Sequence, residues 1–118
     1  MAKVFTVLFV EDDSLVRESV AFLLSQKGFH VLAASNGYDA LEILAQQHVD
    51  VLFTDIVMPG LNGVDLARQA KFLRPNLKIM FATGYSSRSA EAMRLGTLLF
   101  KPMRAQQIET ELRQLLAF

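Results

Sequence analysis

The sequence predicts an α/β fold in which a parallel sheet of five strands is wound on both faces by helices. Two patterns carry this. Short runs of β-branched and aromatic residues alternate with longer segments whose apolar residues recur every three or four positions. The segments between them are short, and strict alternation with short connections implies parallel strands joined by right-handed crossovers. A third observation concerns chemistry: Glu11-Asp12-Asp13, Asp55, Thr83 and Lys101-Pro102 each stand at the end of a strand-like run. In an open parallel sheet those ends share one edge, where ligands bind.

The elements follow in order. Val4–Val10 is apolar nearly throughout, as expected of a strand buried on both faces. Ser14–Lys27 places Val16, Val20, Leu23 and Leu24 at helical spacing, and Gly28 stops it. Phe29–Ala34 reads as a strand, and Tyr38–Gln47 as a helix with Leu41, Leu44 and Ala45 on one side. Val51–Thr54 is the third strand; Met58-Pro59-Gly60 then forces a loop. Gly63–Leu73 is helical and ends before Pro75. Leu77–Ala82 is the fourth strand, Ser86–Arg94 a short, weaker helix, and Thr97–Phe100 the fifth strand. Arg104–Ala117 closes the chain, with Ile108, Leu112, Leu115 and Leu116 on one face. Asn36-Gly37 and Asn62-Gly63 precede helical patterns and so read as strand-to-helix turns, not hairpins. The natural solution is the flavodoxin-like strand order 2-1-3-4-5.

Composition narrows the function. A chain of 118 residues is expected to be one domain, residues 1–118, with no separate output domain. Without cysteine it has neither a disulfide framework nor a thiolate metal site. Twelve basic residues balance twelve acidic ones, which points away from direct nucleic-acid binding. No apolar run approaches the ~20 residues of a membrane span, so no membrane insertion is expected and the chain reads as cytoplasmic.

The strand-end residues suit phosphoryl chemistry. Adjacent carboxylates at Glu11, Asp12 and Asp13 repel one another and are stable together only with solvent or a cation. Their plainer reading is a solvated loop in which Asp13 or Ser14 caps the next helix. Asp55, on the same expected edge, shifts the balance, because oxygen-rich sites that keep several waters are typical of Mg²⁺. Beside such a cation Asp55 is a plausible nucleophile that forms an acyl phosphate, and the metal offsets charge repulsion. Thr83 can donate to a phosphoryl oxygen, and Gly84 leaves room beside it. Lys101 is a compact positive charge that can neutralise a carboxylate or phosphate. By contrast, His30 and His48 lack partners at motif spacing and read as surface histidines. The glycines do not form a Walker-type phosphate loop, and Ser86, Ser87 and Ser89 lack a triad context.

In this order and on these elements, the four motifs resemble the receiver domain of bacterial two-component response regulators, over Val4 to about Leu116. The resemblance implies that Asp55 is the phospho-acceptor. It implies a Mg²⁺ site made of Asp12 directly, Glu11 through water, Asp55 and the backbone carbonyl of Val57. Thr83 resembles the switch hydroxyl, Lys101 the family's lysine, and Lys101-Pro102 its cis peptide. Two positions depart from the pattern. Leu98 stands three residues before Lys101-Pro102, where the family often has a rotating aromatic, and only seventeen residues separate Thr83 from Lys101, so the fourth helix must be curtailed. The Ala82-Thr83-Gly84-Tyr85 wording is similar to receivers that stand alone or belong to hybrid histidine kinases.

The expected function is therefore a phosphorelay switch, with a histidine kinase or a histidine phosphotransfer protein as phosphoryl donor and Mg²⁺ as cofactor. It assists its own phosphorylation and dephosphorylation without turning over a small metabolite. A Mg²⁺-dependent phosphatase with an aspartyl nucleophile is the alternative enzyme class. Such enzymes usually carry a second aspartate two residues after the nucleophile, where this chain has Val57. A binding module that never takes phosphate is the third reading, and the intact set of Glu11, Asp12, Asp55, Thr83 and Lys101 argues against it.

Overall fold

The computed structural model describes residues 3–84 and 86–117. In chain order the elements are β1 (Thr6–Val10), α1 (Ser14–Gln26), β2 (His30–Ala34), α2 (Gly37–Gln46), β3 (Val51–Asp55), α3 (Gly63–Leu73), β4 (Lys78–Thr83), α4 (Ser89–Leu95), β5 (Thr97–Phe100) and α5 (Ala105–Leu116). The strands pair in parallel in the order β2-β1-β3-β4-β5, as the sequence predicts.

The alternation of side chains along each strand divides the core in two. Val7, Phe9, Val51, Phe53, Met80, Ala82 and Leu99 meet Leu24 of α1 and Ile108 and Leu112 of α5. Leu8, Val10, Leu52, Ile79 and Phe81 meet Ala40 and Leu44 of α2, Val64, Leu66, Ala67 and Ala70 of α3, and Ala92 of α4. This is why the strands read as continuous apolar runs: both faces are covered. Phe9 and Phe53 anchor the first layer, with ring centroids 4.9 Å apart in a tilted pair. Burying a side chain of that size contributes roughly 1.5–3 kcal/mol.

Side-chain hydrogen bonds set the boundaries that periodicity leaves open. The first strand begins at Thr6, not Val4, because the Thr6 N–H donates to the Asp50 carboxylate at 2.8 Å and Val4 lies exposed before it. Asp13 caps α1, accepting from the Leu15 and Val16 N–H groups at 3.0 and 3.2 Å. Asn36 and Asn62 cap α2 and α3 in the same way, so both Asn-Gly pairs do open helices. Within α1 and α2, Leu23 and Ala45 turn to solvent, and Leu24, Ala40 and Leu44 make the core contacts.

The fourth helix is shorter than its sequence pattern. It starts at Ser89 instead of Ser86 because Ser86 closes a local turn. The Ser86 hydroxyl accepts from the Arg88 N–H at 3.0 Å, and the Ser89 hydroxyl donates to the Ser86 carbonyl at 3.0 Å. Such side-chain-to-backbone bonds compete with helix formation. With Ala92 as its buried residue, α4 is tied to α3 by charge: Arg88 bonds Asp65 at 3.0 Å and also Glu91, and Arg68 bonds Glu91 at 2.8 Å. These side chains are a third to a half exposed, so the ties are individually weak.

Candidate functional site

Every strand-end residue singled out in the sequence lies at the carboxyl edge of the sheet. The strand order reverses between β1 and β3, and that pair carries the acidic groups. Glu11 and Asp12 follow β1, Asp55 ends β3, Thr83 ends β4, and Lys101 follows β5. The register fixes their neighbours: Asp55 lies opposite Ala82, and Thr83 opposite Phe100.

Carboxylate oxygens of Glu11, Asp12 and Asp55 lie within 4.8 Å of one another. Glu11 is 2% and Asp55 7% exposed, whereas Asp12 is open to solvent. Lys101 bridges the two buried acids, its Nζ donating to Asp55 Oδ2 at 3.0 Å and to Glu11 Oε1 at 3.2 Å. Burial pushes the Glu11 carboxyl above its ordinary value, and its hydrogen bond to Asp12 adds to this; the Asp13 N–H and Lys101 oppose it. Burial pulls on the Lys101 ammonium in the other direction, but the hydrogen bonds and charges of Asp55 and Glu11 prevail and hold it above its ordinary value. A cluster of hard oxygen donors with excess negative charge fits a divalent cation such as Mg²⁺.

Thr83 is fully buried. Among the described residues its hydroxyl is the one buried side-chain polar atom without a hydrogen-bond partner. An unsatisfied buried hydroxyl is costly and points to a role beyond packing. The Thr83 carbonyl accepts from the Lys101 N–H at 2.8 Å, which couples the ends of β4 and β5. The Lys101-Pro102 bond is cis, as the resemblance implies. Leu98 is half-buried and packs on the α2–α4 side of the sheet, next to Phe81 in register. Val57 is exposed, two residues beyond Asp55. His30 and His48 are both exposed, with His48 Nε2 2.9 Å from Asp50. Tyr85 lies outside the described residues.

Three supports of the site escaped the sequence reading. Thr54 donates its hydroxyl to the Asp55 carbonyl at 2.9 Å. Gly63 donates its N–H to Ile56 at 2.8 Å, and a Cβ there would stand 2.0 Å from the Asp55 carbonyl oxygen. Arg17 Nη1 donates to the carbonyl of Glu11 at 2.7 Å. The first and last offer no periodic signal, whereas the glycine does mark a close approach of backbone to backbone.

Fold and site together define a doubly wound parallel α/β domain that carries a lysine-bridged acidic cluster at its switch point. The chain belongs to the response regulator receiver domain family, whose family model matches residues 7–113. It is 36% identical over 114 residues to the response regulator receiver protein CpdR of Brucella abortus, covering 93% of this chain and 95% of that protein. It is also 33% identical to sensor kinase CckA of the same organism, covering 94% of this chain but only 12% of the kinase. Among solved structures, a response regulator receiver domain protein from Clostridium thermocellum superposes with a TM-score of 0.90 at 29% identity, covering 97% of this chain and 95% of that one. Among the described residues no helix is long and apolar enough to cross a membrane.

Proposed function

We propose that this chain is a phosphorylation switch of a two-component phosphorelay and that Asp55 is its phospho-acceptor. One observation carries the reading: Asp55 meets Glu11, Asp12 and Lys101 at the sheet's switch point, although up to 90 residues separate them in sequence. An Asp55 carboxylate oxygen attacks the phosphorus of a phosphohistidine on the donor. A P–O bond forms, the P–N bond breaks, and the freed imidazole nitrogen takes a proton. Lys101 already lies against the attacking carboxylate and pairs with the phosphoryl oxygens as they arrive. The Thr83 hydroxyl, unpartnered and buried, supplies a further donor. Asp12, Asp55, the Val57 carbonyl and, through water, Glu11 would hold Mg²⁺, which when bound supplies neutralising charge around the phosphoryl group.

The donor is a histidine kinase or a histidine phosphotransfer protein in the cytoplasm. It docks beside the acidic loop on α1, where Leu15, Phe22 and Leu23 form an exposed apolar strip. Such a strip suits a partner helix. The phosphatase alternative has no support here, because Val57 places an exposed apolar side chain where a second acid would be needed. Incubation with a small phosphodonor and Mg²⁺ is expected to add one base-labile phosphoryl group, and Asp55→Asn to abolish it. Equal labelling of that variant would refute the assignment.

A further inference from the structure

We infer that Arg17 is a positioning residue for the cation site, acting through the backbone of the acidic loop. The inference rests on the proposed Mg²⁺ site at Glu11, Asp12 and Asp55. Arg17 lies in the first turns of α1, and three consecutive carbonyls of the preceding loop accept from it. Its backbone N–H donates to Asp13 at 2.9 Å. Its Nη1 donates to Glu11 at 2.7 Å and reaches Asp12 at 3.4 Å.

The loop needs such a clamp. The sheet ladder ends where the Glu11 N–H pairs with the Ala34 carbonyl at 3.1 Å, and helix hydrogen bonding begins at Asp13. Between them the chain leaves the sheet while carrying two carboxylates that must stay aimed at Asp55. Like charges at Glu11 and Asp12 favour splaying apart, and Asp12 is exposed, so its side chain has no packing to hold it. Fixing both carbonyls restricts the backbone that carries both acids. Both contacts leave one nitrogen, Nη1, so a lysine ammonium at this position could reproduce part of them. Partners that orient ligands without touching the ion typically change metal affinity ~10–100-fold. Because Asp12 is open to solvent while Glu11 and Asp55 are also held by Lys101, the lower end of that range is expected.

The experiment titrates Mg²⁺ into wild type, Arg17→Ala, Arg17→Gln, Arg17→Lys and Asp12→Ala, following backbone amide shifts by NMR. Phosphorylation by a small phosphodonor is then measured across the same Mg²⁺ range. Arg17→Ala and Arg17→Gln are expected to weaken Mg²⁺ binding on the order of 10-fold, and Arg17→Lys to recover part of the loss. The Mg²⁺ concentration for half-maximal phosphorylation rises in parallel, while the rate at saturating Mg²⁺ stays near wild type. A purely structural role would lower thermal stability without separating these two quantities. Unchanged affinity in Arg17→Ala, or tighter binding in Arg17→Gln through loss of a repelling charge, overturns the inference, provided Asp12→Ala loses binding. If wild type and Asp12→Ala respond alike, the cation site itself is refuted.

Discussion

Lys101→Met tests whether the ammonium at the site is a structural counter-charge or merely a solvated surface group. Lys101 lies 3.0 Å from Asp55 and 3.2 Å from Glu11. At those separations and an effective dielectric near 20, each attraction is on the order of 5 kcal/mol before desolvation is subtracted. Removing one partner of a sealed buried pair costs about 3–5 kcal/mol. Here the lysine side chain is 33% exposed, so water relieves part of that cost. A net loss of about 2 kcal/mol is expected at pH 7 without metal. For a chain of this length that lowers Tm by about 8 °C, since ~1 kcal/mol corresponds to roughly 4 °C. Thermal unfolding in chelator, then in Mg²⁺ fixed at tenfold over the wild-type dissociation constant, provides the assay. That excess stabilises wild type by about 1.4 kcal/mol, and at the same concentration the variant is expected to recover more, because loss of the competing ammonium tightens its Mg²⁺ binding. Adding Glu11→Gln is expected to shrink the cost of Lys101→Met, since one stranded charge is then absent. A metal-free Lys101→Met protein as stable as wild type would refute the reasoning.

Three further outcomes are expected. Gly63→Ala forces a Cβ to 2.0 Å from the Asp55 carbonyl oxygen, so it is expected to cost about 2–3 kcal/mol by denaturant unfolding and to slow phosphorylation; wild-type stability would show that the two backbones separate freely. Glu11 titrates above its ordinary value of 4.5 in the fold, so the native state holds its proton more tightly than the unfolded chain. Metal-free stability therefore falls as pH rises from about 4.5 through the folded value, and urea unfolding of Glu11→Gln is expected to flatten that slope. Finally, a phosphoryl mimic such as beryllofluoride is expected to change amide exchange most in segment 83–101, where α4 has Ala92 as its buried residue. Changes confined to residues 55–62 would place the output on another face.

Strand order, the two-faced core and the edge that carries the site were legible because they depend on short-range regularities. A strand apolar at every position, as in Val7–Val10 or Val51–Phe53, must be covered on both sides, and helices between parallel strands are what cover it. Residues at strand ends then converge whatever their sequence separation, which is how Glu11, Asp55, Thr83 and Lys101 could be grouped. Element ends were less legible. Thr6 pairs with Asp50 across 44 residues, and Ser86 closes a turn on its own side chain, choices that periodicity does not encode.

What only the tertiary structure decided is which partner each polar group finds. Arg17 reads in the sequence as any arginine on a helix; its hold on the acidic loop, five and six residues back, exists because the turn from β1 into α1 brings its Nη1 to the Glu11 and Asp12 carbonyls. Gly63 could have served only to start a helix, yet its missing Cβ is what lets α3 touch the backbone of Asp55. Arg88 and Glu91 stand three apart, a helical spacing, but their links to Asp65 and Arg68 across α3 and α4 are announced by no spacing in the chain. Burial patterns repeat along a chain and can be read from it, whereas hydrogen bonds and ion pairs depend on distances of a few ångströms between distant segments. Those distances are set only when the whole sheet and its helices are in place.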